Sequence, residues 1–224
     1  MPYWGGVEGA GHVVELGAGA SNAKVGDLVN LARVEGVWGE EVIVPSARLN
    51  AFPAEADPLQ VAMLTVNPPT AELMLTDFVD LEAGDWVIQN TANGAVGKTL
   101  AMLAAARGVH IVNLVRRDAG VEELAALGIA NAVSTATDGW QDRVRAITGD
   151  APIRAAVDSI GGQASAELLS LLGEDGLLVS LAQDTWLIKI TQYRDSGGQL
   201  MPRRLSAISG ENKIRLVIDN WVFR

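Results

Sequence analysis

In the stretch Asp85-Trp86-Val87-Ile88-Gln89-Asn90-Thr91-Ala92-Asn93-Gly94-Ala95-Val96-Gly97-Lys98-Thr99-Leu100, an apolar run of strand type gives way to a glycine-bearing turn and then to an alanine-rich helix. A turn in that setting is built to receive phosphates. Gly94 lets the backbone come close to a bound pyrophosphate, Gly97 lets the helix pack on the strand, and the first helical turn offers free N–H groups with partial positive charge. Ala92 occupies the place of the usual first glycine. A lone Gly-x-x-Gly would also serve as a plain strand-to-helix turn with a packing glycine, so its surroundings decide between the two.

Downstream of the turn, strand and helix patterns alternate. Strands are predicted at 110–115, 131–134, 153–158 and 176–181, and helices at 96–107, 120–127, 139–148 and 163–172, each pair punctuated by Gly, Asp or Asn. Such alternation implies a parallel sheet, because parallel neighbours need crossovers and the crossovers pack on both faces. The fold class is therefore α/β, a doubly wound parallel sheet of Rossmann type. In that context the phosphate-binding reading of Asn93, Gly94, Ala95, Val96 and Gly97 is favoured over the plain turn.

Upstream the texture differs. Residues 12–16, 27–32 and 41–44 read as short antiparallel strands between Gly-rich turns, and 58–79 as two helices broken at Pro68-Pro69, a break that presents Asn67 and Thr70 at a helix start. Asn67 would equally serve as an N-cap there. Beyond residue 183 the alternation ends. Trp186, Ile188 and Ile190, and then Ile214, Leu216 and Ile218, suggest two strands around a turn near Gly197-Gly198. The expected organisation is residues 1–55, 56–183 and a tail 184–224.

The strand at 110–115 is followed by Arg116-Arg117, where an NAD site would place an acidic residue for the ribose 2′-hydroxyl. Two guanidiniums suit a 2′-phosphate, which points to NADPH. The same arginines would also read as solvated surface charges, with Asp118 a partner for one of them.

The 224 residues carry a formal charge of −10, and the 17 Lys and Arg form no run longer than a pair. That balance argues against binding to a nucleic-acid backbone. No stretch approaches the roughly 20 apolar residues of a membrane helix, and Met1 to Gly6 lack the pattern of a signal peptide. Cysteine is absent, which fits a reducing compartment, and a cytoplasmic location is expected. His12 and His110 stand alone, so no metal site is expected.

Several strings occur in the order found in a known family. They are Gly5-Gly6-Val7-Glu8-Gly9-Ala10-Gly11, Val25-Gly26-Asp27, Gly36-Val37-Trp38-Gly39-Glu40, Thr65-Val66-Asn67-Pro68-Pro69-Thr70-Ala71, Gly84-Asp85-Trp86-Val87-Ile88-Gln89-Asn90 and Asp158-Ser159-Ile160-Gly161-Gly162. Over about residues 5–182 the chain resembles the medium-chain dehydrogenases/reductases, most of all the 2-enoyl thioester reductase branch, with quinone reductases as a sister group. The resemblance implies a partial GroES-like β domain before the Rossmann domain, and NADPH-dependent, zinc-independent reduction of the C=C bond of an enoyl thioester, enone or quinone. Position by position, Gly94 to Gly97 match the pyrophosphate loop, Arg116 and Arg117 the 2′-phosphate clamp, and Asn67 and Thr70 residues near the nicotinamide and substrate. Zinc-dependent relatives carry a histidine where this chain has Val7. The resemblance also implies that the family's first strands and its proton-donating tyrosine lie upstream of this chain, since neither Tyr3 nor Tyr193 falls at the matching place. An NADP(H)-binding chain without catalysis is the alternative expectation. The unmatched tail leaves a sheet edge open, which points to weaker order or to a homodimer.

Overall fold

A computed structural model of the chain describes residues 5–31, 34, 36–181, 186–195, 200–209 and 212–217. The chain divides into two compact units, Met1–Thr70 and Ala71–Arg224.

The first unit holds a three-stranded antiparallel sheet, β1 (Ala10–His12), β2 (Leu28–Leu31) and β3 (Leu49–Phe52), with β2 central. Val29, Leu31 and Val34 are buried, and Val42, Val44 and Leu49 pack against them. Two strand expectations need correction here. The run 41–44 alternates because Val42 and Val44 face this small core while Ile43 is fully exposed, but it pairs with no strand; the third strand is Leu49–Phe52. The first strand lies at 10–12 rather than 12–16. Helix α1 (Pro58–Ala62) opens with proline in its first turn, and the Asp57 carboxylate caps it by accepting the Leu59 N–H at 2.9 Å. Val61 is buried and α1 packs on β1 and β2, so these residues cluster with the first unit. A 3-10 turn, Met63–Thr65, leads into α2 (Asn67–Thr76), whose two prolines fall in the first turn, where a missing N–H costs nothing.

The second unit follows the predicted alternation closely. In chain order it contains β4 (Trp86–Gln89), α3 (Ala95–Ala106), β5 (His110–Val115), α4 (Asp118–Ala126), β6 (Ala132–Ser134), α5 (Trp140–Thr148), β7 (Ile153–Asp158), α6 (Gln163–Leu169) and β8 (Leu172–Ser180). β9 (Trp186–Asp195), β10 (Leu200–Ser209) and β11 (Asn212–Val217) complete one sheet of order β11-β10-β9-β8-β7-β4-β5-β6. The strands from β8 to β6 run parallel. Winding proceeds outward from β4 in both directions, first to β5 and β6, then to β7 and β8, which is the doubly wound arrangement.

Alternation along the strands makes two cores. Val87, Ile111, Val115, Ala155, Val157 and Val179 face one side with Leu100 and Ala104 of α3, Leu124 of α4 and Met74 of α2. Ile88, Val112, Leu114, Ala156 and Leu178 face the other with Trp140 and Val144 of α5 and Leu168 of α6. Each fully buried leucine contributes roughly 1.5–3 kcal/mol of apolar transfer energy. Helices α3 and α4 end alike. Gly108 and Gly128 adopt φ of +72° and +73°, their N–H groups bond to Ala105 and Ala125, and the next amides, Val109 and Ile129, bond to Ala104 and Leu124 at 2.9 and 3.0 Å. These are Schellman closures, and the buried Val109 and Ile129 enter the first core from them.

Two differences mark the distal part. Helix α6 is shorter and β8 longer than the sequence suggests, because a bulge at Gly173–Gly176 lets β8 begin at Leu172; a Cβ on Gly173 would lie 2.6 Å from Pro152 Cβ. The tail contributes three strands instead of two, with β9 antiparallel to β8 and β10 and β11 continuing the meander. The expected turn at Gly197-Gly198 and the residues Ile218 and Trp221 lie outside the described residues. Central parallel strands are buried on both faces, whereas Val217 of β11 is 57% exposed. Amide hydrogen exchange is therefore expected to be faster in β11 than in β4 by orders of magnitude, read residue by residue under native conditions. Equal protection in the two strands would count against a weakly held tail.

Candidate functional site

Strand β4 ends in two buried amide side chains. Gln89 is 1% exposed, and its Nε2 donates to the Gly97 carbonyl at 2.8 Å and to Asn113 Oδ1 at 2.7 Å. Asn113 on β5 donates in turn to the Ala130 carbonyl at 2.8 Å. One polar chain thus joins the start of α3, two neighbouring strands and the approach to β6.

Between β4 and α3 the backbone turns tightly. Thr91 has φ +51°, a conformation that disfavours a β-branched residue by the order of 1–3 kcal/mol. The Ala92 N–H bonds to Leu114 at 3.1 Å, and the Gly94 N–H bonds to Thr91 at 2.9 Å. Ala92 is wholly buried, and a Cβ on Gly97 would lie 2.7 Å from its Cα, so the helix approaches the turn as only glycine permits. Lys98 N–H bonds to the Gly94 carbonyl, which leaves the amides of Ala95, Val96 and Gly97 ahead of the first intrahelical bond. Gly94 is the N-cap and contributes no side-chain cap. Asn93 donates across to Glu123 of α4 at 3.4 Å.

Arg116 and Arg117 follow β5, whose Leu114 carbonyl holds the turn, so the arginines and the turn share the carboxyl end of adjacent strands. Both arginines are exposed, Arg117 being the N-cap of α4. Among the described residues neither makes an ion pair or a side-chain hydrogen bond, and Asp118 pairs with neither. Asn67 and Thr70 lie in the first compact unit on α2. Asn67 does not cap through its oxygen; its Nδ2 donates backward to the Met63 carbonyl at 3.0 Å, tying the 3-10 turn to the helix.

The other residue group at this end of the sheet was not singled out from the sequence. Asp158, at the end of β7, is fully buried. Its Oδ1 accepts from Asn90 Nδ2 at 2.5 Å and from the Ile160 N–H at 3.0 Å, and its Oδ2 accepts from Ser165 Oγ at 2.5 Å, Ser180 Oγ at 3.0 Å and the Gly161 N–H at 3.1 Å. Asn90 Oδ1 accepts the Ser159 N–H at 2.8 Å. Burial pushes the Asp158 carboxyl up, but the bonds from Ser165, Asn90, Ile160 and Gly161 outweigh it and hold the group below the ordinary aspartate value of 3.8. The sequence signals were a polar residue closing each of two apolar strands, Asn90 and Asp158, and the place of both residues in strings that carry the family resemblance.

Tyr193 is placed far from this end. β9 runs antiparallel to β8, so Tyr193 meets the start of β8, where its hydroxyl donates to the Leu172 carbonyl at 2.7 Å. Burial, with the Glu174 carboxylate nearby, pushes its pKa up to about 12. A groove of about 700 Å³ between α4 and α5, lined by Val121, Val133, Arg143 and Ile147, includes none of the candidate residues.

The architecture is a Rossmann-type α/β sheet preceded by a small GroES-like β unit. A family profile described as zinc-binding dehydrogenase matches residues 95–194. The mitochondrial enoyl-[acyl-carrier-protein] reductase of Bos taurus is 36% identical over 186 residues, covering 80% of this chain and 50% of the relative. That of Caenorhabditis elegans is 37% identical over 185 residues, covering 80% and 52%. In fold, the chain is similar to the quinone oxidoreductase of Escherichia coli complexed with NADPH, with TM-score 0.71, 23% identity and coverage of 80% and 56%. By these matches the chain resembles the medium-chain dehydrogenases/reductases. It spans about half the length of the curated relatives it matches. Zinc does not fit the residues at hand: there is no cysteine, and among the described residues no group of three His, Cys, Asp or Glu side chains converges. No helix among them is long and apolar enough to cross a membrane.

The depressed Asp158 pKa sets an acid dependence. A carboxylate whose folded pKa lies below its unfolded value stabilises fully above the unfolded value, and that contribution is lost as pH falls through the folded one. In thermal melts, the stability gap between the unmutated chain and Asp158→Asn is expected to be constant above about pH 5 and to narrow below 3.8. A gap that stays constant down to pH 3 would show that Asp158 has an ordinary pKa in the folded chain.

Proposed function

We propose that the chain binds NADPH through the turn Asn93 to Gly97 and the pair Arg116 and Arg117, and that it serves NADPH-dependent reduction of the C=C bond of a 2-enoyl thioester, enone or quinone. The observation that carries the reading is the pairing of the amides of Ala95, Val96 and Gly97, which precede the first intrahelical bond of α3, with the guanidiniums of Arg116 and Arg117 just after β5, which make no ion pair or side-chain hydrogen bond among the described residues. Amides at a helix N-terminus suit a pyrophosphate, and paired guanidiniums suit a 2′-phosphate. Relatives named as enoyl reductases, and a similar fold solved with NADPH, support the same assignment.

NADPH supplies a hydride when bound. The chain's part is to hold the pyrophosphate at the carboxyl end of β4 and the 2′-phosphate at the carboxyl end of β5, and so to fix the dinucleotide's direction across the sheet. Asn67 and Thr70 are assigned to the nicotinamide and substrate side by resemblance. Small molecules are the expected substrates, and the outer edge of β11, which has no neighbour among the described residues, is assigned to a second copy of the chain.

A second reading, nucleotide binding without turnover, is favoured by the state of Tyr193, whose proton is committed to a backbone carbonyl at the other end of the sheet. Reductases of this chemistry must stabilise an enolate oxygen and supply a proton. Loss of a positioned donor typically removes about 10²–10⁴ in rate.

Two measurements test these readings. NADPH is expected to bind more tightly than NADH, and Arg116→Ala is expected to weaken NADPH alone by about one to two decades, roughly 1.5–3 kcal/mol. Equal dissociation constants for the two cofactors in the unmutated chain would remove the assignment of Arg116 and Arg117. NADPH oxidation with crotonyl thioester is expected to be slow, and a rate matching full-length reductases would remove the second reading.

A further inference from the structure

Asp158 has no part in the phosphate contacts proposed above, yet its carboxylate gathers partners from four elements: Asn90 after β4, the amides of Ile160 and Gly161 after β7, Ser165 of α6 and Ser180 of β8. Backbone bonds reinforce the knot, with Asn90 N–H on Val157 at 3.2 Å and Leu181 N–H on Asp158 at 2.7 Å. These groups sit where winding reverses, between β4 and β7, at the carboxyl ends of the strands. In doubly wound sheets the ligand lies in the crevice above that point.

Packing alone does not call for a charge here. A buried carboxylate is costly unless every lone pair is used, and apolar residues of similar volume often hold such a position equally well. What the carboxylate does fix is the path of the segment after β7. Gly161 and Gly162 take φ of +82° and +60° in succession, a course few sequences follow unaided, and Ile160 is left 48% exposed between two anchored amides.

We infer that Asp158 is a positioning residue for the nicotinamide half of the dinucleotide, setting the segment Ser159–Gly162 and Asn90 across the switch point. The inference rests on the nucleotide-binding reading. The adenosine 2′-phosphate half belongs to the turn 93–97 and to Arg116 and Arg117, on the β4–β5 side, whereas the Asp158 network spans β4, β7 and β8. The two halves can therefore be probed apart.

The test is titration of the full chain with NADPH and with 2′,5′-ADP, which carries the adenosine 2′-phosphate and one of the two bridging phosphates but no nicotinamide. Asp158→Asn is expected to raise the NADPH dissociation constant about tenfold or more while moving that of 2′,5′-ADP less than about twofold. A parallel loss for both ligands, as a general loosening of the core would give, overturns the inference, and so does no loss for either. Ser180→Ala, which removes one of the carboxylate's donors, serves if Asp158→Asn does not fold. It is expected to weaken NADPH about threefold with 2′,5′-ADP unchanged, and equal dissociation constants for that variant and the unmutated chain overturn the inference. An unmutated chain that binds neither ligand removes the nucleotide reading itself, a result separate from those above.

Discussion

The structure turns on the approach of α3 to the end of β4, where Gly97 sits against the backbone of Ala92. That contact brings the helix close enough for the Gln89 amide, fully enclosed, to reach the Gly97 carbonyl and Asn113 together. A side chain at position 97 would push the helix off the strand and take the Gly97 carbonyl from the buried Gln89 amide, leaving that amide with Asn113 alone. Burying an unsatisfied amide costs roughly 1–3 kcal/mol, so the polar chain and the close packing stand or fall together. The free amides of the first helical turn inherit their position from this one approach.

At the carboxyl end of the sheet two kinds of polar site lie side by side and obey opposite logic. Arg116 and Arg117 are exposed and, among the described residues, make no ion pair or side-chain hydrogen bond, and the amides of Ala95, Val96 and Gly97 precede the first intrahelical bond, which is the condition for receiving a ligand. Asp158 is buried and its hydrogen bonds come entirely from within the chain, which is the condition for holding shape. An anion arriving at the first site gains charge-assisted bonds there because none has been used inside the protein.

Much of the second unit was legible because its strands are buried on both faces. Runs such as Ile111-Val112-Asn113-Leu114-Val115 and Ala155-Ala156-Val157 need no alternation to be read as strands, and both fall within elements of the expected bounds. The first unit was less legible. Its strands are three or four residues long, and Val42 and Val44 show an alternation that comes from packing without pairing. In the tail, β10 escaped notice because Pro202 and two arginines interrupt its apolar pattern, and the register slips there. The phosphate-binding turn was visible because its residues are contiguous. The Asp158 network was not, since Asn90, Asp158 and Ser180 meet only once the order of strands is known.

The two rims of the sheet are made in different ways. At the rim where strands β5 and β6 begin, α3 and α4 close through backbone bonds at Gly108 and Gly128. At the opposite rim, side chains from distant positions hold one another. Drift in sequence is therefore little constrained at the exposed positions of the first rim, which are free to adapt to solubility or to a neighbour. On the second rim a change at Asn90, Asp158 or Ser180 alters the surroundings of the other two, so such positions are tolerant only of coordinated change. A fold divided in this manner can diversify its outside while keeping one edge of the sheet fixed.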